Sequence, residues 1–210
     1  MPETDATPTR DRLLAAAREL FLKRGFAATS TRAIAAEADC NLSLIKYYFG
    51  SKEGLLREML RVQYDAIGSE VRARSDHAGP AADRLTEVIA SIAGRVDENR
   101  DLLRMMVREL STAGSPVIQE IAGLVGKVQN PIIGLLEDAR RRGEIRDVDP
   151  RIAGVTLAGM LMFYHLAYPV TSILVGPRSP ETLEALKNTV VRVFLHGVLN
   201  PPSRTQEHSA

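Results

Sequence analysis

The sequence predicts an all-α protein, with a short N-terminal cluster of helices followed by a larger helical remainder. Three observations predict it. Apolar residues recur at spacings of three and four from end to end, and no stretch alternates as a half-buried strand should. Helix boundaries are written in local chemistry, with Ser or Asp before proline at starts and glycine at stops. Two of the helices are much shorter than the rest and lie side by side near the N-terminus.

The elements follow in order. The first helix runs from about Arg10 to Arg24, with Thr9 as N-cap, Leu13, Ala17, Leu20 and Phe21 as its apolar stripe, and Gly25 as its stop. Ser30 caps a short helix from Thr31 to Ala38, and Asp39-Cys40-Asn41 is a turn. Asn41 caps a second short helix from Leu42 to about Tyr48. After Gly50, Ser51 caps a long helix from Lys52 into the low seventies, and Glu53 suits the dipole of its first turn. Beyond a polar connection at 75–80, helices are expected over about Ala81–Val96, Arg100–Leu110 and Pro116–Arg142. Pro131 should kink or split the last of these near Gln129. Asp149-Pro150 opens a helix reaching roughly Val175, bent or broken at Pro169. Ser179-Pro180 opens the last, to about Leu199, and the tail from Pro201 to Ala210 is expected to be disordered.

Length and composition narrow the function classes. At 210 residues, 45% of them apolar, the chain can bury a real core as one compact unit or two small ones. Its 27 basic and 26 acidic side chains nearly cancel, which excludes a histone-like polycation. Any nucleic-acid contact must come from a local basic face. The single cysteine, Cys40, cannot form an internal disulfide and fits a reducing cytoplasm. It reads as a core plug of the short-helix pair. Met1 to Asp5 is polar and lacks the apolar segment of a signal peptide. Ile152 to Val175 approaches membrane-spanning length, but His165 and Pro169 inside it argue for a buried helix of a soluble protein.

The chemistry concentrates between Ser30 and Leu56. Two helices of about seven or eight residues joined by a three-residue turn have the dimensions of a helix-turn-helix. Ala33, Ala35, Ala36 and Ala38 permit close packing of the first against the second, with Ile45 as a buried plug. The second short helix can then stand proud and enter a major groove. Leu42, Ser43, Lys46 and Tyr47 are its expected outward positions: Ser and Lys can hydrogen-bond base edges, and Leu and the Tyr ring can contact thymine methyls. Tyr48 and Lys52 on one side, Thr31 and Arg32 on the other, are placed for the phosphate walls. The first turn of the Lys52 helix adds backbone N–H groups. The alternatives are a merely solvated Lys46 and a Tyr47 packed on Leu44.

The run LLAAARELFLKRGFAATSTRAIAAEADCN followed by LSLIKYYFGSKEGLL resembles the DNA-binding domain of the TetR/AcrR family of bacterial regulators. The resemblance covers Thr9 to Leu56. It implies three helices for DNA, then about six for ligand and dimer contacts, with the Leu42–Tyr48 segment as recognition helix and with Lys52 and Tyr48 holding phosphates. Two departures stand out. Asp39 occupies a turn position where the family often has Gly, so it should adopt a left-handed or near-bridge backbone. Lys46 stands where an aromatic residue is frequent. The domains implied are 1–52 for DNA binding, 53–200 for ligand binding and dimerisation, and 201–210 as tail.

Two further constellations lie in the second half. Ile152, Val155, Gly159, Met162 and Leu166 share one face, and Leu157, Met160, Leu161, Tyr164, His165 and Tyr168 spread around the other. Leu183, Leu186, Val190, Phe194 and Val198 repeat the rhythm in the last helix. Helices apolar on more than one side need more than one cover. A homodimer through the helices at 150–175 and 180–199 supplies it; the alternative is a monomeric core with a wide stripe. Met105, Met106, Leu124, Met160, Tyr164, His165 and Tyr168 have the composition of a pocket for an apolar or amphipathic small-molecule effector, or else of a packed core with satisfied Tyr and His. No phosphate-cradling glycine loop, metal-spaced Cys/His cluster or nucleophile elbow is present, so no enzyme activity and no cofactor or metal is expected. The sequence points to a dimeric, ligand-responsive repressor on a palindromic site in double-stranded DNA, with no membrane partner. Rival readings are a helical carrier of a lipid-like ligand and a protein-interaction adaptor. The effector, operator, regulated genes and sign of regulation are not written in it.

Overall fold

The structure, a computed structural model, describes residues 6–110 and 118–200. The expected helix start at Pro116, the polar N-terminus and the tail from Pro201 lie outside the described residues. Among those described, the chain forms α1 (Ala6–Arg24), α2 (Thr31–Glu37), α3 (Ser43–Phe49), α4 (Lys52–Ser75), α5 (Ala81–Glu98), α6 (Arg100–Leu110), α7 (Ile118–Arg141), α8 (Pro150–Leu166), α9 (Tyr168–Val175) and α10 (Pro180–Val198). The only strand-like pairing there is an isolated antiparallel bridge between Ile145 and Leu199.

Most boundaries follow the capping chemistry. Ser30 Oγ accepts from Ala33 N at 3.1 Å, Ser51 Oγ from Gly54 N at 3.1 Å, and Ser179 Oγ from Thr182 N at 3.2 Å. Asp149 accepts from Arg151 N at 2.8 Å, with Pro150 opening α8. Asn41 Oδ1 accepts from Ser43 N at 2.9 Å while Leu42 already has helical dihedrals, so Asn41 works as the cap of α3.

Three expectations are corrected. Thr9 is not a cap, because α1 begins at Ala6; its first turn accepts Pro8, whose missing N–H would lack a helical partner there anyway. Pro131 does not split α7, which continues through it. The proline deletes one helical bond, the one to the Lys127 carbonyl, and buried Val128, Ile132, Leu135 and Leu136 on either side hold the rest. The segment to Val175, expected to be bent or broken at Pro169, is broken two residues earlier, at Ala167, into two helices with an 86° bend. Pro169 cannot donate to His165, so the chain turns just before it. The remainder after α3 therefore holds seven helices among the described residues, one more than the resemblance implies. None of these helices is by itself long and apolar enough to cross a membrane.

The chain divides into two compact units, Met1–Ser69 with Arg95–Val128, and Glu70–Gly94 with Gln129–Ala210. The first has a core built on Leu13, Leu20, Phe21, Ile34, Ile45, Leu55 and Leu60, joined by Met105, Met106 and Leu124. Each such side chain contributes about 1.5–3 kcal/mol by leaving water. Within this unit Gly68 allows α4 to meet α7 at the Lys127 carbonyl: a Cβ at Gly68 would stand 2.9 Å from that oxygen. In the second unit Leu85, Val88 and Ile89 of α5 are buried, as are Leu136 of α7, Leu157 and Leu161 of α8, and Phe194 of α10. There the buried Arg84 donates through Nε to the Ser75 carbonyl at 3.1 Å, covering the end of α4. The turn after α7 is tied to the end of α10 by Asn200, whose side chain donates to Gly143 O at 2.8 Å and Ile145 O at 3.0 Å.

Candidate nucleic-acid interface

α3 is a short amphipathic helix with one deep anchor. Ile45 is 2% exposed, while Ser43, Lys46 and Tyr47 of the opposite side face outward, Tyr47 at 78%. Leu42 is exposed as well, and Leu44, Tyr48 and Phe49 are half-buried against the core. Tyr47 is not packed onto Leu44's side of the helix; its ring meets Tyr48 edge-on at 4.9 Å. The Ser43 hydroxyl donates to Asn41 Oδ1 at 2.7 Å, so its oxygen is left as an acceptor. In the turn before α3, Asp39 takes a positive φ of 49°, a left-handed backbone that its short polar side chain tolerates. The half-buried Cys40 thiol donates to Ala38 O at 3.1 Å and packs against the core.

The end of α3 is defined by two glycines. Gly50 closes the helix at φ 75°, its N–H donating to Lys46 O at 3.0 Å. Gly54 lets the first turn of α4 approach the Phe49 carbonyl so closely that a Cβ would sit 1.8 Å from its oxygen. Glu53 beside it has its carboxyl held below the usual range, first by a hydrogen bond from Ser51.

Of the phosphate candidates, Arg32 is exposed, and Thr31 and Tyr48 are half-buried. Lys52 departs from expectation. Its ammonium turns inward, donating to Phe26 O and Thr29 O at 3.0 Å each, and lies 4.4 Å from the centre of the Phe26 ring. The reason lies in the loop after α1. Gly25 leaves the helix at φ 88°, and buried Thr29 ties the loop down by donating to Gly25 O at 2.8 Å and Leu20 O at 3.2 Å. The Phe26 and Thr29 carbonyls then point at the start of α4, and a cation satisfies them. Thr29 and Gly54 were not legible as functional. Gly54 had one signal, a glycine in the first turn of a helix where it has no capping role.

A chain of alternating charges runs through the same unit. Arg10 pairs with Glu58 and places its guanidinium carbon 5.5 Å from the centre of the Phe49 ring. Glu58 also accepts from Arg61 through Nε and Nη2 at 2.8 Å each. Arg61 reaches Asp65 at 2.9 Å, and Asp65 pairs with Lys127. The Arg61 and Arg10 guanidiniums hold the Glu58 carboxyl down at about 2 against the opposing effect of burial, the Arg61 hydrogen bond being the largest influence.

The seven candidate effector residues fall into both units. Met105, Met106 and Leu124 belong to the core of the first, where Met106 Sδ accepts from Tyr64 Oη at 3.5 Å. Burial pushes the Tyr64 phenol up to about 12. In the second unit a cleft of about 670 Å³ between α8, α9 and α10 is lined by Met160 and Tyr164, together with Phe163, Leu174, Val175 and Leu186. His165 is buried beside Tyr164 with ring centres 5.2 Å apart, and Tyr168 accepts from Arg178 N at 3.1 Å; neither lines that cleft. The outer face of the unit carries exposed Ile152, Val155 and Phe163 of α8, Ile173 and Leu174 of α9, and Val193 of α10. Among the described residues no three His, Cys, Asp or Glu side chains gather as a metal site.

Comparison with known proteins agrees with this arrangement. The profile of the bacterial regulatory proteins of the tetR family matches residues 13–59, and that of a tetracyclin repressor-like C-terminal domain matches residues 78–167. The HTH-type transcriptional regulator UidR of Escherichia coli K12 is 30% identical over 147 residues, 68% of this chain and 72% of its own. The HTH-type transcriptional repressor NicS of Pseudomonas putida is 29% identical over 164 residues, 76% of this chain and 77% of its own. A Bacillus subtilis regulator, YttP, is 32% identical over 115 residues, and the match spans about half of each chain, 54% and 55%. Among solved structures, FadR of Bacillus subtilis in complex with stearoyl-CoA superposes with a TM-score of 0.75 at 20% identity, covering 89% of this chain and 98% of that one. With the glycine-bounded α3, the capped α2 and both profiles in agreement, the chain belongs to the TetR family of bacterial DNA-binding transcription regulators.

Proposed function

We propose that this protein is a ligand-responsive, homodimeric repressor, not an enzyme, that acts in the cytoplasm and reads a near-palindromic operator in double-stranded DNA with α3. The observation that carries this reading is the outward face of α3, where Ser43, Lys46 and Tyr47 stand exposed over a buried Ile45. Leu42 and Tyr47 would contact thymine methyls, Lys46 a guanine edge, and Ser43, as acceptor, the amino group of adenine or cytosine. Thr31, Arg32, Tyr48 and the backbone N–H groups opening α4 would take phosphates. Lys52 braces the loop behind them. Residues 1–52 would be the reading head, 53–200 the ligand-binding and dimerisation part, and 201–210 a tail.

The homodimer would form through α8, α9 and α10, the helices at 150–175 and 180–199, whose exposed Ile152, Val155, Ile173 and Val193 need a cover. It would place two copies of α3 in successive major grooves, roughly 34–36 Å apart. An apolar or amphipathic effector fits the composition around Met160 and Tyr164, and FadR's stearoyl-CoA is a ligand of that character. Such an effector would lower operator affinity only by its preference for the wider-spaced state.

The test is footprinting of the purified protein on duplexes selected from a randomised library, followed by titration at several salt concentrations. A protected two-half-site duplex whose affinity falls steeply with salt is expected. A chain that selects no duplex, or binds with a flat salt dependence, overturns the reading in favour of a ligand carrier. Lys46→Ala should shift the preferred bases in the same selection; an unchanged preference removes Lys46 from the reading set.

A further inference from the structure

We propose that Glu58 and Arg10 are positioning residues for the recognition helix: Glu58, on α4, holds the Arg10 guanidinium against the Phe49 ring and so sets the angle at which α3 is offered to DNA. This rests on the reading of α3 as the DNA-reading helix.

α3 is only seven residues long and cannot keep its own orientation by helix propensity. Its outward face must stay free of packing, so its direction depends on what holds the inner face. Ile45 is the deep anchor, with Leu44 and Tyr48 half-buried beside it, and a helix this short held near its middle is free to tilt at its end. The second anchor is Phe49, in the last turn. Its backbone carbonyl lies where only a glycine at 54 leaves room for it, and its ring is half-buried against the core with Arg10 beside it. Arg10 is itself mobile by nature, a long side chain on α1. Glu58 removes that freedom, and Arg61, donating twice to Glu58, removes the freedom of the carboxylate. The Glu58 side chain is 17% exposed and Arg10 37%, so the pair sits at the rim of the core, out of the row of outward α3 residues. Arg10 of α1 thus bridges Phe49 of α3 and Glu58 of α4.

The sign of one substitution separates positioning from simple charge. Glu58 is an anion within the DNA-binding unit. If it acted only through its charge, removing that charge would tighten binding to a polyanion. If it positions Arg10, removing it loosens α3 and weakens binding. The experiment uses the full chain and a fluorescent duplex selected from a randomised library by the unaltered protein. Failure of that selection would speak against the DNA reading itself and not against this proposal. Each variant is titrated at several salt concentrations, at a temperature where circular dichroism shows it fully folded.

Glu58→Gln and Arg10→Gln are each expected to lose roughly tenfold in affinity with an unchanged salt slope, and the double variant to lose no more than either alone. Phe49→Leu, which keeps an apolar plug but removes the ring face, should lose a similar factor and make Arg10→Gln silent. Binding by Glu58→Gln that is equal to or tighter than that of the unaltered protein overturns the proposal. So does a salt slope flattened by about one unit in Arg10→Gln, which would make Arg10 a phosphate contact. A full loss on adding Arg10→Gln to Phe49→Leu would show that the ring is not where the contact acts.

Discussion

Gly54 and Lys52 show how single residues at the start of α4 fix the end of α3 and the loop after α1. An alanine at Gly54 would force its Cβ to within 1.8 Å of the Phe49 carbonyl oxygen, so either α3 or α4 must shift. Gly54→Ala is expected to cost about 3 kcal/mol in thermal unfolding, at the upper end for overpacking, and to weaken operator binding further. A variant as stable as the parent would mean that the two helices can part freely. Lys52→Met keeps the apolar stem but deletes both bonds to Phe26 O and Thr29 O, leaving the Thr29 carbonyl unsatisfied and Phe26 O with only its bond from Thr29 N. It should destabilise by about 1–3 kcal/mol. Its salt slope on DNA should fall by less than about half a unit, since the charge faces inward. A drop of a full unit would return Lys52 to the phosphate wall. For Asp39 the family resemblance implied a left-handed or near-bridge backbone; it takes the left-handed one, which a short polar side chain tolerates.

At the scale of elements, α4 carries the ion-pair ladder that begins at Arg10 and ends at Lys127 on α7. Exposed pairs of this kind contribute little singly, but Glu58 is largely covered and doubly paired. Its carboxyl stands at about 2, below the ordinary value of 4.5, so the folded state binds this proton more weakly than the unfolded chain does. The stabilisation is therefore complete above about pH 4.5 and is lost as pH falls towards 2. Asp65, whose carboxyl is also held low by Lys127 before all else, adds to the same limb. Urea unfolding of Glu58→Gln followed from pH 6 to pH 3 should show a shallower fall in stability than the parent. A parallel curve would mean that the pair does not persist in solution. α7 teaches the converse of its proline rule. Pro131 removes a bond, yet the helix runs on because buried side chains on both sides of it outweigh one lost hydrogen bond.

For the molecule as a whole, the exposed apolar row on α8 and α10 makes association the property to measure. Val155→Glu places a charge in the middle of that row and should yield monomers in sedimentation, with operator affinity lost and the fold retained by circular dichroism. A variant that stays dimeric would move the interface elsewhere. The α8–α9–α10 cleft tests the effector reading separately. Met160→Trp should abolish the response of DNA binding to an apolar effector without changing affinity in its absence.

Most of the helices and of their caps, the helix-turn-helix and the family were present in the sequence by itself, because each rests on interactions within a few residues: a Ser or Asp before a first turn, a glycine after a last one, an apolar stripe at helical spacing. Only the tertiary structure decided where Lys52 spends its charge, why Gly54 must be glycine, that Arg10 meets Phe49 and Glu58, and that seven residues of pocket-like composition divide between two units. Those facts depend on groups far apart in sequence being brought within a few ångströms, and no local pattern encodes which carbonyl a lysine will find or which face a methionine will share.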